Sequence, residues 1–185
     1  MVGKGKFQTL LDLGTGTGRI LDLLKDHYAK AVGIDASREM LAIARDTLNK
    51  AEISNVQIRQ GDLMNLPTPD EAFDLITIHQ VLHFLDDPAR AIKEAAKGLR
   101  PNGRLLIVDF APHDLEFLRD DHAHLRLGFG TEQVSNWLEA AGLEVQQTQK
   151  LSPKSGDKDK SLVVTLWLAQ NPNMLVANAT ASLNS

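Results

Sequence analysis

Leu10-Leu11-Asp12-Leu13-Gly14-Thr15-Gly16-Thr17-Gly18-Arg19-Ile20 decides how this chain folds. Phe7 to Leu13 is apolar and suits a buried strand. Three alternating glycines then let the backbone turn sharply and approach a ligand that any Cβ would obstruct. Arg19 to Lys30 reads as an amphipathic helix with Ile20, Leu23, Leu24 and His27 on one face. A second apolar strand, Ala31 to Ile34, ends on Asp35. Strand, glycine loop, helix, strand and acid make half of a nucleotide-binding α/β sheet.

The spacing separates cofactor classes. A dinucleotide loop is G-x-G-x-x-G, with an acid roughly 20 residues further on. Here the third glycine comes one residue early, Asp12 precedes the first, and no phosphate-binding lysine follows. The acid-flanked triplet together with Asp35 resembles motif I of class I S-adenosylmethionine-dependent methyltransferases. That resemblance implies S-adenosyl-L-methionine as cofactor, held by Asp12, Gly14, Thr15, Gly16, Gly18, Asp35, Ala36, Met40, Asp62, Leu63 and His79. Asp35, after the second strand, is placed to accept from two ribose hydroxyls; the bland alternative is an acid favouring the next helix N-terminus. The resemblance puts Asp62 near the adenine amino group, with an apolar or backbone contact from Leu63. It has Asp12 either orienting the glycine loop or facing the cofactor's ammonium group.

At 185 residues, with 43% hydrophobic content, the chain can bury a substantial core. No apolar stretch approaches a membrane span, and the N-terminal lysines precede no signal-peptide core. Zero cysteines exclude disulfides and thiolate metal sites, and a cytoplasmic location is expected. A net charge of −4 argues against a broad nucleic-acid surface.

Ser37 is a candidate N-cap for a helix to about Lys50, carrying Met40, Ile43, Ala44 and Thr47 at helical spacing. Val56 to Gln60 and Phe73 to Ile78 read as strands, separated by a proline-containing loop. Asp87-Pro88 reads as an N-cap followed by proline at the first helical position, and Arg104 to Phe110 as a fifth strand. Thr131 is expected to cap a helix stopped by Gly142; Leu143 to Leu151 and Leu162 to Leu168 are expected to close a hairpin over a polar tip. The expected fold is α/β and Rossmann-like. It is a doubly wound, seven-stranded, mostly parallel sheet with one antiparallel strand in the C-terminal hairpin. Residues 1–172 form the expected methyltransferase domain, with an insertion at about 111–130, and 173–185 a flexible tail. Right-handed crossovers put the glycine loop, Asp35, Asp62, His79 and Asp109 at one edge, where ligands bind.

His79 and His83 follow the fourth strand. An i,i+4 histidine pair can bind a metal, but no third ligand is identifiable, and no metal is expected. Either histidine can serve as a general base, or be a loop and capping residue only. His113, His122, His124, Arg119 and Arg126 form a second polar cluster, either a solvated helix or a substrate-binding wall built on His113, His122, His124 and Arg126.

The segments His79–His83, Val108–Arg119 and His122–Phe129 resemble a narrower group, in which the methyltransferase domain follows a winged-helix repressor domain of the ArsR type. That implies a fragment lacking an N-terminal DNA-binding domain, and helices before the first strand that cover the cofactor. Arsenite methylation through cysteine ligands is excluded by composition. Two functions follow as expectations. One is methyl transfer to a small-molecule acceptor lying between residues 79–83 and 113–126. The other is sensing of S-adenosylmethionine or S-adenosylhomocysteine, without turnover, for an attached regulator. A dehydrogenase is a distant third.

Overall fold

The computed structural model describes residues 7–66, 72–122, 124–152 and 162–172, without the side chains of 120–122. The chain runs β1 (Phe7–Leu13), α1 (Arg19–Leu23), a 3-10 turn at Lys25–His27, β2 (Tyr28–Asp35), α2 (Arg38–Lys50), β3 (Val56–Gln60) and β4 (Phe73–His79). A second 3-10 turn at Leu82–Phe84 leads to α3 (Pro88–Lys97), β5 (Leu99–Phe110), α4 (Phe117–His122), α5 (Thr131–Ala140), β6 (Glu144–Leu151) and β7 (Val164–Gln170). The seven strands lie in the order β3-β2-β1-β4-β5-β7-β6. β1 to β5 run parallel to one another, and β7 is antiparallel to both β5 and β6. The expected doubly wound sheet with one reversed strand is therefore present.

Strand β1 is central because its apolar run covers both faces. Leu10 packs beneath Leu21, Tyr28 and Leu48, while Leu11 and Leu13 join the larger core with Ile76, Ile78 and Trp167. Each leucine buried this completely contributes about 1.5–3 kcal/mol. The order reverses between β1 and β4, so their C-terminal ends open a crevice flanked by the glycine loop and the turn after β4.

Three local expectations need correction. The helix expected from Arg19 to Lys30 ends at Leu23, and β2 starts at Tyr28 rather than Ala31. Tyr28 is wholly buried, donates its hydroxyl to the Leu21 carbonyl at 2.9 Å and pairs in register with Phe7, so sheet pairing outcompetes helix propagation. Leu21 faces the core, and Leu23 is 63% exposed. On α2 the buried stripe is Leu41, Ala44 and Leu48, leaving Met40 and Ile43 exposed. Ala44 faces Gly18, where an added Cβ would lie 3.4 Å from the Ala44 Cβ. Thr131 is the first residue of α5 and caps nothing; Gly130 precedes the helix without a side-chain bond. The buried Trp167 indole N–H holds the Thr131 carbonyl at 3.0 Å and fixes where the helix begins.

Ser37 and Asp87 do cap α2 and α3, accepting from Met40 N and Arg90 N. Gly142 follows α5 at φ 83°. The hairpin tip at 153–161 and the tail at 173–185 lie outside the described residues.

Candidate functional site

The loop after β1 is fastened to β2. Gly14 and Thr15 donate their N–H groups to the Ile34 carbonyl at 2.8 and 2.9 Å. Gly14 has φ 69°, and a Cβ there would lie 2.2 Å from Val81 Cγ2. Gly16 has φ 52°, but a Cβ there would meet only the Gly14 carbonyl oxygen, at 4.0 Å. The first glycine thus permits close packing, and the second faces open space. Asp35 ties the loop to α2: one carboxylate oxygen accepts from Gly16 N at 2.8 Å, the other from Ser37 N at 2.9 Å.

Asp12 sits beneath the loop, 1% exposed, accepting from the Thr15 and Thr77 hydroxyls at 2.6 Å each. Burial pushes its carboxyl up to about 6, against the two hydroxyl bonds and with a smaller push from Asp35. Its visible contact is with the loop, the first of the two expected roles.

Above the loop lies a cleft of about 530 Å³. One wall is Gly14 to Thr17 with Arg19 and Ile20; a second is Asp35, Ala36, Met40 and Leu63. The third follows β4: His79, Gln80, Val81, Phe84 and Leu85. Eight of the expected cofactor residues line it: Gly14, Thr15, Gly16, Asp35, Ala36, Met40, Leu63 and His79. Three do not. Asp12 is buried below, Gly18 is buried facing Ala44, and the exposed Asp62 accepts from Met64 N at 2.8 Å. Thr17, Arg19, Ile20, Phe84 and Leu85 also line it and were not expected to, whereas Gln80 and Val81 belong to the His79–His83 segment expected beside the acceptor. Arg19 adjoins the third glycine, a signal available from sequence; the turn is aimed at the cleft by long-range contacts. A second cavity of about 430 Å³ lies at the opposite strand ends, around Lys30, Ser54 and Asn55, with no comparable set of strand-end groups.

The two histidines after β4 part company. His79 is partly buried on the cleft wall, and burial lowers its pKa, with Asp109 acting in the opposite direction. It is therefore neutral at neutral pH, as a proton acceptor must be. His83 is 2% exposed, does not line the cleft, and binds Asp109 Oδ1 through Nδ1 at 2.7 Å. A carboxylate can only accept, so Nδ1 carries the proton. Asp109, wholly buried, also accepts from the Leu82 and Phe110 N–H groups. His83 is wedged among Phe84, Phe110 and His124, with ring centroids 4.1–4.9 Å away.

The expected acceptor wall packs against that turn. Leu125 and Arg126 donate their backbone N–H groups to the His83 carbonyl, and the Arg126 guanidinium donates to the Asp86 carbonyl at 2.6 Å. Arg119 is held by Glu116 and the Leu125 carbonyl. His124 is buried, and His113 is partly buried with a lowered pKa caused first by that burial. None of these lines the cleft. The side chain of His122 lies outside the described residues.

Residues 11–107 match the family model described as a methyltransferase domain. The chain belongs to that family. Over 106 residues the methyltransferase domain is 35% identical to the uncharacterized methyltransferase YcgJ of Bacillus subtilis, covering 57% of this chain and 42% of that protein. It is 40% identical over 107 residues to demethylmenaquinone methyltransferase of Thermus thermophilus, covering 56% and 47%. Among solved structures, an S-adenosylmethionine-dependent methyltransferase from Aquifex aeolicus superposes with a TM-score of 0.73 at 25% identity, covering 92% of this chain and 85% of that one. The chain thus spans under half the length of those two curated relatives.

The family and its structural neighbours indicate S-adenosylmethionine as cofactor. The residues fit it. The cleft volume falls in the range of small-molecule sites, and Gly16 leaves room for a ligand at the loop. Asp35 offers a carboxylate at the end of β2, and Ile20, Met40 and Leu63 offer apolar cover for a base.

Proposed function

We propose that residues 1–172 act as an S-adenosylmethionine-dependent methyltransferase domain on a small-molecule acceptor. The observation that supports this most is the cleft itself, which brings Gly16, Asp35 and His79 to one crevice at the sheet's topological switch point. When bound, the cofactor supplies an electrophilic methyl group on a sulfonium. In this reading Asp35 accepts from the ribose hydroxyls, and the glycine loop lets the amino-acid end lie against backbone. His79 orients the acceptor and takes its proton where one must leave. His83, held by Asp109, keeps the turn that carries Phe84 and Leu85 in place. Alignment and exclusion of water supply much of the acceleration.

The acceptor would approach between the His79–Leu85 turn and the 113–126 segment. An anionic acceptor paired to Arg119 and Arg126 has little support, because both guanidinium groups already hold protein partners. Phe84 and Leu125, each nearly half exposed, favour an acceptor with an apolar body, a property consistent with the quinone named for the Thermus relative. The narrower ArsR-type resemblance stays part of the proposal, with the winged-helix domain on a longer chain.

The test is methyl transfer from labelled S-adenosylmethionine to a panel of phenols, hydroquinols and amines. We expect label in at least one phenol or hydroquinol, with His79→Gln lowering kcat more than it raises KM. Tight donor binding with no transfer to any acceptor would contradict the enzyme and favour the sensor.

A further inference from the structure

We propose that Gln80 determines acceptor specificity, selecting a ring that carries two neighbouring oxygens over one that carries a single hydroxyl. This deepens the proposed function and rests on its reading of His79 as facing the acceptor. Among the described residues, three that are not glycine have a left-handed φ: Glu52, Gln80 and Asn102. Glu52 follows the end of α2, and Asn102 lies in the N-terminal part of β5, as a residue type that tolerates the conformation. Gln80 alone of the three lines the cleft, half-buried and at φ 55°, a conformation that such side chains rarely adopt. A strained residue on a site wall is a pointer to function.

The turn changes what the wall presents. In an extended strand successive side chains face opposite ways. His79 closes β4 in register with Val108, and the Gln80 N–H still donates to the Val108 carbonyl at 2.7 Å. The chain then bends at Gln80, and both residues line one cleft, beside Phe84. An imidazole and a carboxamide thus stand side by side, on α-carbons about 3.8 Å apart. The imidazole can take a proton from one oxygen, while the carboxamide, with N–H groups to donate and an oxygen to accept, holds a second without ionising. In the transfer one hydroxyl oxygen forms the bond to the methyl carbon, and the broken carbon–sulfur bond leaves its electron pair on sulfur. The hydroxyl proton ends on His79, and Gln80, unchanged, fixes the ring through the other oxygen.

Catechol and phenol share a ring and differ by one neighbouring hydroxyl, so they isolate the second contact. Calorimetric titration of each into the full chain saturated with S-adenosylhomocysteine reads acceptor binding without turnover. Catechol is expected to bind about three- to tenfold tighter than phenol. Gln80→Ala should abolish that preference while S-adenosylhomocysteine affinity stays within about twofold, which also shows the variant folded. Gln80→Gly should lose the preference too, yet unfold at a higher denaturant concentration than the unaltered chain, because glycine adopts the left-handed φ freely. A preference that survives both substitutions, no preference in the unaltered chain, or a glycine variant less stable than the unaltered chain would overturn the assignment. A Gln80-dependent preference for catechol without transfer of labelled methyl would support this contact and overturn the enzyme reading. No binding of S-adenosylhomocysteine would overturn both.

Discussion

Asp35 holds the glycine loop in the structure and accepts from the ribose in the proposed function, and only the second role is written in its position in the sequence. An acid after the second strand announces a ribose ligand; the bonds to Gly16 N and Ser37 N show that it also holds the loop. Asp35→Ala should therefore weaken S-adenosylhomocysteine binding by about 1.5–3 kcal/mol in calorimetry, and lower Tm in the absence of ligand. Asp12 was legible as an acid flanking the glycines, but its role depends on Thr77, 65 residues away. Its folded pKa is raised from 3.8 to about 6, so the folded state binds the proton more tightly than the unfolded chain. The stabilisation from that proton is complete below about pH 4 and is lost as pH rises through about 6. Denaturant titrations from pH 4 to 7 should show the unaltered chain losing up to about 3 kcal/mol relative to Asp12→Asn. Parallel curves for the two proteins would contradict the buried environment assigned to Asp12.

The glycine loop and the turn after β4 work as a pair at the scale of elements. Gly14→Ala adds both a left-handed φ, about 1–2 kcal/mol, and a collision with Val81. In a Val81→Ala background its cost should shrink to the φ penalty alone, whereas Gly16→Ala should cost only that penalty in either background. Denaturant unfolding of the three single and two double variants checks the coupling. Asp109 supports the same turn from below. Asp109→Ala strands His83 and two backbone N–H groups and should destabilise by about 3–5 kcal/mol, again read by denaturant unfolding. Local chemistry made some of this readable: Ser37, Asp87-Pro88 and Gly142 mark element ends by side-chain type and backbone freedom alone. The short α1 was not readable, because the pull of Tyr28 into the sheet is a tertiary effect on a sequence that is locally helix-compatible. The same limit explains His83, whose spacing from His79 suggested a shared site until Asp109 drew it into the core.

For the whole molecule, alternating strands and helices ending in a hairpin were enough to specify the sheet, since right-handed crossovers leave few ways to arrange them. They also specified the edge at which the cleft opens. What the pattern did not contain was the bonding of residues 113–126, where Arg119 holds Glu116 and the Leu125 carbonyl within the segment and Arg126 ties it to the Asp86 carbonyl beyond the turn after β4. Among the described residues no helix is long and apolar enough to cross a membrane. The account stands on one claim, that the cleft between the glycine loop and the turn after β4 holds S-adenosylmethionine. Calorimetric titration of the chain with S-adenosylhomocysteine tests it most directly. We predict saturable binding at one site per chain, abolished by Gly16→Val, whose side chain would enter the open space above the loop. No binding of S-adenosylhomocysteine, alongside tight binding of a nicotinamide dinucleotide, would contradict it.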